Sequence, residues 1–178
     1  MQDPRERCLY IDQSLEGFIA LPDEDLGFLA AVQVEGEDYG YAAFVATCDT
    51  VIIGRRTYDK VVAMGVPDPH PERLLYIITS RPRSSADRIV FHTGDPIELI
   101  VKLKASSGKR IYCDGGALLA DVLMKHDLID RYIISTIPVL LGDGIRLFKE
   151  GRPMQPVELV NARSFVSGLV QCEYRRTR

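Results

Sequence analysis

The sequence is poor in the residues that mark metal sites and disulfide-stabilised domains. It contains no tryptophan, three histidines and four cysteines. The cysteines are widely scattered along the chain, at Cys8, Cys48, Cys113 and Cys172. Three of them fall in predicted strands or a helix and are interpreted as buried thiols, and the histidines show no ligand spacing. We therefore expect a reducing cytoplasmic environment, no metal and no disulfide framework.

Long hydrophobic runs and a strong charge of either sign are also missing. No apolar run reaches membrane-spanning length, and the first seven residues lack the apolar core of a signal peptide. A net charge of −3 argues against nucleic-acid or membrane-surface partners. The 46% apolar and 26% charged fractions are typical of a soluble globular protein. We expect one domain over residues 1–178, with a polar tail at 1–6.

Strand and helix patterns alternate through most of the chain. Strands are predicted at 7–12, 50–53, 74–79, 89–91 and 110–113, and helices at 41–48, 58–64, 95–104 and 117–125. This alternation predicts an α/β fold with a mostly parallel sheet. The last strands, at 131–137, 157–163 and 169–175, are joined by turns without long helices. They should therefore form an antiparallel edge.

Residues 50–58, Thr-Val-Ile-Ile-Gly-Arg-Arg-Thr-Tyr, join a buried strand to a helix. Gly54 ends the strand, and Thr57 is placed to cap the helix. Arg55 and Arg56 stand at the helix start, where the partial positive charge of the backbone disfavours cations. Either they are solvated on a surface turn, or a phosphate binds there with backbone N–H groups and the Thr57 hydroxyl.

Two further strand ends carry similar chemistry. Thr79, Ser80 and Arg81 follow one strand, and Gly115 with Gly116 precedes the helix at 117. Because ligands of open α/β sheets gather at the carboxyl ends of parallel strands, these loops should adjoin residues 54–57. Singly, each is an ordinary turn. Together they offer three arginines and a glycine cradle to an extended phosphorylated ligand such as a dinucleotide. Gly-x-Gly-x-x-Gly and P-loop patterns are missing, which argues against the usual Rossmann or nucleotide-hydrolase site.

Four short segments stand in order along the chain: Gly54-Arg-Arg-Thr-Tyr58, Thr79-Ser-Arg-Pro82, Asp114-Gly-Gly116 and Ile137-Pro-Val-Leu-Leu-Gly-Asp-Gly144. Together they resemble the dihydrofolate-reductase-like superfamily. The resemblance is closest to the C-terminal reductase domain of bifunctional riboflavin-biosynthesis deaminase-reductases and its stand-alone relatives. Ser14-Leu-Glu-Gly17 matches the Ser-Leu-Asp-Gly element of that branch. The similarity extends from about Leu9 to Tyr174.

The resemblance implies an NADPH-dependent reductase with a three-layer αβα fold. The residues that would bind the cofactor by motif match fall into four groups: Gly54, Arg55, Arg56 and Thr57 for the phosphates; Thr79, Ser80 and Arg81 for the 2′-phosphate side of the adenosine; Gly115, Gly116 and Ala117 for the pyrophosphate; and Ile19 and Ala20 beside the nicotinamide. The three arginines should favour NADPH over NADH, with no nearby carboxylate set to pair a ribose hydroxyl instead.

Two aspartates are candidate catalytic residues. Dihydrofolate reductases carry an acid on the helix before the Gly-Arg motif, and Asp38 falls near that place. Asp12 stands at a strand end where relatives usually have a small residue. A carboxyl there could orient or protonate a polar substrate, or it is a solvated strand-end aspartate. The absence of zinc-deaminase motifs excludes bifunctional riboflavin chemistry, and the absence of tryptophan argues against folate reduction.

The leading hypothesis is a reductase that passes a hydride from NADPH to a carbonyl or C=N carbon of a small heterocycle, of pterin or ribosylamino-pyrimidine type. One alternative is a non-catalytic NADP-binding or redox-sensing module, and another is a binder of nucleotides or sugar phosphates. We also expect a symmetric homodimer, because the late strands and the apolar run at 137–141 are hard to cover in a monomer.

Overall fold

An eight-stranded sheet forms the centre of the structure, a computed structural model that describes residues 5–178. The strands are β1 (Arg7–Ser14), β2 (Phe18–Ala20), β3 (Cys48–Gly54), β4 (Leu74–Ile78), β5 (Ile89–His92), β6 (Arg110–Gly115), β7 (Arg131–Ile137), β8 (Ile145–Arg146), β9 (Val157–Ser164) and β10 (Val170–Arg176). The helices are α1 (Tyr41–Ala46), α2 (Arg55–Ala63), α3 (Pro96–Ala105) and α4 (Ala117–Lys125), with a 3₁₀ helix at Gly27–Val32. Strands β2 and β8 pair separately from the main sheet.

The main sheet has the strand order β5-β4-β3-β6-β1-β7-β10-β9. All neighbours from β5 to β7 are parallel, whereas β10 is antiparallel to both β7 and β9. The expectation of a mostly parallel sheet with an antiparallel C-terminal edge is therefore confirmed. This order places the carboxyl ends of β4, β3, β6 and β1 next to one another at one edge of the sheet.

Helices on both faces explain the uninterrupted apolar sequence of the central strands. Val51, Ile52 and Ile53 of β3 are all fully buried, because each face of a parallel sheet is covered. Helix α1 contributes Phe44 and Val45 to the core on one face. Helices α3 and α4 supply the core on the other face. The result is three layers with two apolar cores.

The local signals set most element boundaries, with corrections at α1 and α2. The helix predicted at 41–48 ends at Ala46, and Cys48 begins β3 instead. Helix α4 has the predicted bounds, and the Asp95 carboxylate caps α3 by accepting the Ile97 N–H at 2.8 Å. Helix α2 begins at Arg55, with Gly54 as its N-cap in an extended conformation. Thr57 therefore lies inside the first turn, and the prediction that it caps α2 is wrong. Its hydroxyl is free for another role.

The start of the described chain is held firmly against the sheet. Arg5 is buried, and its Nε donates to the carbonyl of Lys109 at 2.6 Å. Glu6 accepts from Arg110 Nε at 2.8 Å. The polar tail expected at 1–6 therefore does not include Arg5 or Glu6, while residues 1–4 lie outside the described region.

Most of the apolar run at 137–141 is covered within the chain. Ile137 is fully buried with Phe28 and Val32 of the 3₁₀ helix, and Val139 and Leu141 pack partly against the same cluster. Leu140 remains 69% exposed. The run thus gives less support for a dimer than its sequence suggested, and the homodimer stays a prediction.

Candidate active site

A cleft of about 1030 Å³ lies at the carboxyl ends of β4, β3, β6 and β1. Every predicted cofactor-binding residue except Gly115 lines it, and so does Asp12. Residues from the three separate strand-to-helix or strand-to-turn junctions are thus brought together, as their positions after adjacent parallel strands require. The cleft is large enough for an extended ligand.

Two glycines bring the starts of α2 and α4 into contact. A Cβ atom on Gly54 would lie 3.5 Å from the carbonyl oxygen of Gly115, and one on Gly116 would lie 3.2 Å from Thr57 Oγ1. Gly116 also has φ of 87°, which other residues adopt only with strain. Neither helix has a side-chain cap. The first-turn N–H groups of both helices therefore remain for a ligand at the cleft.

The arginines at the start of α2 are neutralised by acids of the same chain. Arg55 Nε lies 3.1 Å from Asp59 Oδ2, one turn further along the helix. Arg56 pairs with Glu24 of the loop after β2, and Lys60 donates to the backbone carbonyl of Glu24. Both carboxylates lie near the predicted phosphate site, and each is engaged by an arginine of the chain itself. The pairs also explain how two arginines are tolerated at a helix start.

Arg81 differs from the other two arginines. Among the contacts described for residues 5–178, its guanidinium has no carboxylate partner. Its backbone N–H donates to Thr79 Oγ1 at 3.1 Å, and the same hydroxyl lies 3.1 Å from the Arg81 carbonyl. The buried Thr79 thereby fixes the turn while the side chains of Ser80 and Arg81 stay exposed beside the cleft.

Residues of β2 form the wall opposite these loops. Ile19 and Ala20 line the cleft, and Ala20 is buried. Strand β8 pairs with β2 in antiparallel register, opposite Phe18 and Ala20. A Cβ atom on Gly144 would lie only 2.4 Å from the Ala20 carbonyl oxygen. Gly144 therefore lets β8 approach closely enough to hold the Ile19–Ala20 wall in place.

The inner end of the cleft is polar. Tyr10, Asp12, Tyr112 and Asp114 all line it, and their even positions on β1 and β6 put them on one face of the sheet. Asp114 accepts a hydrogen bond from the Tyr112 hydroxyl at 2.6 Å. Burial, together with the charge of Asp114, raises the pKa of Tyr112, which keeps this hydroxyl protonated as a donor.

A histidine stands behind Asp114. His70 Nε2 lies 2.7 Å from Asp114 Oδ2, and the His70 side chain is only 2% exposed. Its ring meets that of Tyr112 edge-on, with 5.5 Å between the ring centroids. Two buried donors therefore hold the Asp114 carboxylate in a fixed orientation at the cleft. Sequence spacing gave no sign of this pair, because His70 comes from the proline-rich loop before β4.

The two candidate catalytic aspartates have different environments. Asp12 lies in the cleft, where burial raises the pKa of its carboxyl, and a hydrogen bond from Ser135 partly offsets that increase. Asp38 is exposed and does not line the cleft. Its carboxylate accepts the N–H groups of Ala42 and Gly40, both at 2.9 Å, and these bonds lower its pKa. Asp38 thus stabilises the start of α1, and the structure does not bring it to the candidate site.

Comparison with known proteins identifies the family. Residues 11–171 match the model of the RibD C-terminal domain. The chain belongs to this family. The chain is 38% identical over 173 residues to the uncharacterized protein YwjB of Bacillus subtilis (strain 168), covering 97% of this chain and 98% of YwjB.

The structure of the chain is similar to those of two solved proteins. A Shewanella sp. PV-4 protein named for riboflavin biosynthesis superposes with a TM-score of 0.88 at 26% identity, covering 97% of this chain and 99% of its own. Enterococcus faecalis dihydrofolate reductase, solved with NADP(H) and RAB-propyl, gives a TM-score of 0.66 at 15% identity, covering 97% of each chain. The expected dihydrofolate-reductase-like αβα fold is thereby confirmed, and it is a fold that reductases use.

Several residues of the candidate site were not predicted from the sequence. Tyr10, Tyr41 and Tyr112 line the inner cleft, and Glu24 and Lys60 lie near its mouth. The alternation of β1 and β6 was the available signal for Tyr10 and Tyr112. No local signal pointed to Glu24, because its partner Arg56 lies on a different element.

Proposed function

We propose that the protein is an NADPH-dependent reductase that transfers a hydride to a small heterocyclic substrate of pterin or ribosylamino-pyrimidine type. The observation that carries this proposal is the single cleft that joins two glycine-bounded helix starts to a polar inner wall. The helix starts suit the phosphates of a dinucleotide, and the inner wall suits a polar ring. Membership of the RibD C-terminal domain family supports the same assignment.

The residues of the cleft fit a nicotinamide dinucleotide phosphate. Gly54 and Gly116 leave the space that a Cβ atom would fill, so a pyrophosphate can approach the uncapped N–H groups of α2 and α4. Arg81, with Thr79 and Ser80, would face the 2′-phosphate. Ile19 and Ala20 would border the nicotinamide, which would supply the hydride when bound.

The remaining chemistry belongs to the chain itself. Asp12 would orient a polar substrate group or exchange a proton with it, because its raised pKa makes the protonated form more accessible. Asp114, fixed by His70 and Tyr112, would accept a hydrogen bond from a substrate N–H. Tyr41, beside Tyr112, would help to exclude water from the inner cleft.

None of the helices in residues 5–178 has the length and apolar character needed to cross a bilayer.

The test begins with NADPH binding, which is measured by fluorescence as NADPH is titrated into the purified protein. NADPH oxidation is then measured by absorbance with a panel of pterins and ribosylamino-pyrimidines, with Asp12→Asn as a variant that keeps the shape of the side chain. We expect binding, and turnover that the variant loses. Binding without turnover on any substrate would favour the non-catalytic module, and absence of NADPH binding would reject both readings.

A further inference from the structure

Four polar residues form a row across four neighbouring strands. Asp12 of β1 is the register partner of Ser135 of β7, and Ser135 is the partner of Gln171 of β10. Gln171 is in turn the partner of Arg163 of β9. Directly opposed residues on adjacent strands point to the same face of a sheet. The row therefore leads from the cleft at Asp12 to the outer edge of the sheet at Arg163.

Hydrogen bonds connect the members of the row. Arg163 Nη2 donates to Gln171 Oε1. Gln171 Nε2 donates to Ser135 Oγ at 3.2 Å and to the Tyr10 hydroxyl at 2.9 Å. Ser135 is 1% exposed and Gln171 is 4% exposed, so water does not replace these bonds. Ser135 stands opposite Asp12 on the same face of the sheet, and its hydroxyl, acting as a hydrogen-bond donor, lowers the pKa of the Asp12 carboxyl.

Arg163 sets the orientation of the Gln171 amide. A guanidinium only donates, so the amide of Gln171 must turn its oxygen toward Arg163. The amide NH₂ then points inward, toward Ser135 Oγ, the Tyr10 hydroxyl and, at 3.3 Å, the Tyr39 carbonyl oxygen. Because Ser135 Oγ accepts from this NH₂, its single proton is left to donate to Asp12. Tyr10 uses its own proton in a bond of 3.2 Å to the Tyr39 carbonyl, so it does not compete for the same acceptor.

We propose that Arg163 and Gln171 are positioning residues for Asp12, and that they act by holding the Ser135 hydroxyl as a fixed donor to its carboxylate. The inference rests on the proposed function in giving Asp12 its role at the substrate. Asp12 itself lines the cleft, where a substrate group would meet its carboxylate. The edge of the sheet thus controls the geometry of a group in the candidate active site, although Arg163 does not line the cleft.

This arrangement has a measurable electrostatic consequence. A fixed donor stabilises the ionised carboxylate and opposes the effect of burial on the pKa of Asp12. The charged groups that act on the neighbouring Tyr10 hydroxyl are Asp12, Arg163 and Asp38, whereas the pKa of Asp12 itself is set by burial and by Ser135. A direct field from Arg163 would act on Asp12 in the same direction as the row does. The experiment must therefore separate a direct electrostatic effect of Arg163 on Asp12 from an effect that passes through Ser135.

The experiment is a carbon NMR titration of aspartate carboxyls in the ligand-free protein, with Asp12 assigned by the Asp12→Asn variant. Ser135→Ala should raise the pKa of Asp12 by about one pH unit, because it removes one hydrogen bond to the charged form. Arg163→Met should raise it by a smaller amount. In the Ser135→Ala background, Arg163→Met should cause no further shift, since its effect passes through the hydroxyl.

The control is Arg175→Met, which removes an exposed arginine from the same edge of the sheet, where it pairs with Glu158. It should leave Asp12 unchanged. Equal shifts from Arg163→Met in both backgrounds would show a direct field and overturn the proposal, as would no shift from Ser135→Ala. If the alanine variant does not fold, Ser135→Cys supplies a weaker donor for the same cycle. The NMR titration uses no cofactor, so its outcome does not depend on NADPH binding. A failure of this proposal and a failure of the proposed function are therefore seen in separate experiments.

Discussion

Gly54 and Gly116 lie in backbone contact, so that a Cβ atom on Gly116 would stand 3.6 Å from the Gly54 Cα. The first turns of α2 and α4 meet at this point, and both turn their uncapped N–H groups to the same cleft. A side chain is disfavoured at Gly116, because its Cβ atom would lie 3.2 Å from Thr57 Oγ1 and its φ is 87°. A single added methyl group is therefore a direct probe of the site.

Gly116→Ala should weaken NADPH binding by more than about tenfold, because the methyl group would occupy the approach to the helix starts. It should also cost about 1–2 kcal/mol of stability, since Gly116 has φ of 87°. Gly65→Ala is the matched control, with φ of 89° and no atom within 4 Å of the added Cβ. Dissociation constants and urea unfolding are measured for both variants. Equal NADPH affinity in the two would show that the Gly116 turn is merely structural.

Cofactor choice should depend on the arginines and on Glu24. Arg56→Ala combined with Arg81→Ala should weaken NADPH by about 10²–10⁴-fold, because each charge-assisted bond to phosphate contributes about 1.5–3 kcal/mol. NADH should bind nearly as before. Glu24→Gln should strengthen NADPH binding, since it frees Arg56 from its internal partner. Salt should weaken NADPH more than NADH.

The measurement is the pair of dissociation constants, for NADPH and NADH, at low and moderate salt. Glu35→Gln removes the same charge from an exposed loop position and serves as the control for Glu24→Gln. Equal affinity of the wild-type protein for the two cofactors would remove the 2′-phosphate site from the proposed function.

The His70–Asp114 pair should contribute to stability as well as to the site. His70→Phe would leave a carboxylate oxygen without its buried donor, and should lower the free energy of unfolding by about 1–3 kcal/mol. His126→Phe, at an exposed position at the end of α4, is the control and should change little. Urea unfolding compares the two. Similar stability of both variants would mean that the pair is not a significant contact.

Acid should destabilise the protein through Asp130. Burial alone would raise the pKa of Asp130, but hydrogen bonds from Arg7 and Arg178 outweigh it, and the net pKa is lowered. Since the folded pKa lies below the unfolded one, the stabilisation is present at neutral pH. This stabilisation decreases once the pH approaches the ordinary pKa of an aspartate carboxyl in the unfolded chain. It is lost as the pH falls through the pKa of Asp130 in the folded protein.

Asp130→Asn should therefore lower the free energy of unfolding at pH 7 by about 1.5–3 kcal/mol, and by less at pH 3. Urea unfolding at both values tests this, with the exposed Asp23→Asn as control. A penalty that is independent of pH would assign the effect to packing rather than to the charge of Asp130.

A homodimer should use the exposed edge of the sheet. Every residue of β9 is exposed, including the apolar Val157, Leu159 and Val160, and an unpaired edge strand is a surface for association. Light scattering at micromolar concentration should report a dimer. Leu159→Lys should weaken this dimer, because it places a charge on the exposed edge strand. Leu140→Lys tests instead whether the run at 137–141 contributes to association. A wild-type protein that is monomeric under these conditions would contradict the prediction.

Local sequence patterns predicted the helices and strands more completely than they predicted the contacts between those elements. The bounds of α4 follow from an apolar face that starts after Gly115 and Gly116, and the buried strand β3 follows from its β-branched run. These features depend on neighbours within a few residues. Of the predicted cofactor-binding residues, nearly all share the cleft, because their order after parallel strands determines their place.

What escaped prediction depends on partners distant in sequence. Glu24 neutralises Arg56 across elements, and His70 reaches Asp114 from an irregular loop. The row from Asp12 to Arg163 requires the register of four strands at once, which no local pattern specifies. Asp38 lies outside the cleft, because the backbone N–H groups of Gly40 and Ala42 hold its carboxylate at the start of α1, and a position in the sequence does not reveal such contacts.

The central position of β1 has a consequence for how the chain is made. Arg7 pairs with Ile111 of β6, and Cys8 pairs with Arg131 of β7. More than half of this sequence is therefore synthesised after β1 begins to emerge from the ribosome and before either of its neighbours does. Until then its apolar residues, Cys8 to Ile11, have no strand to join and are exposed to chaperones or to other nascent chains. The translation of β6, rather than of β1, sets the earliest moment at which the middle of the sheet can close.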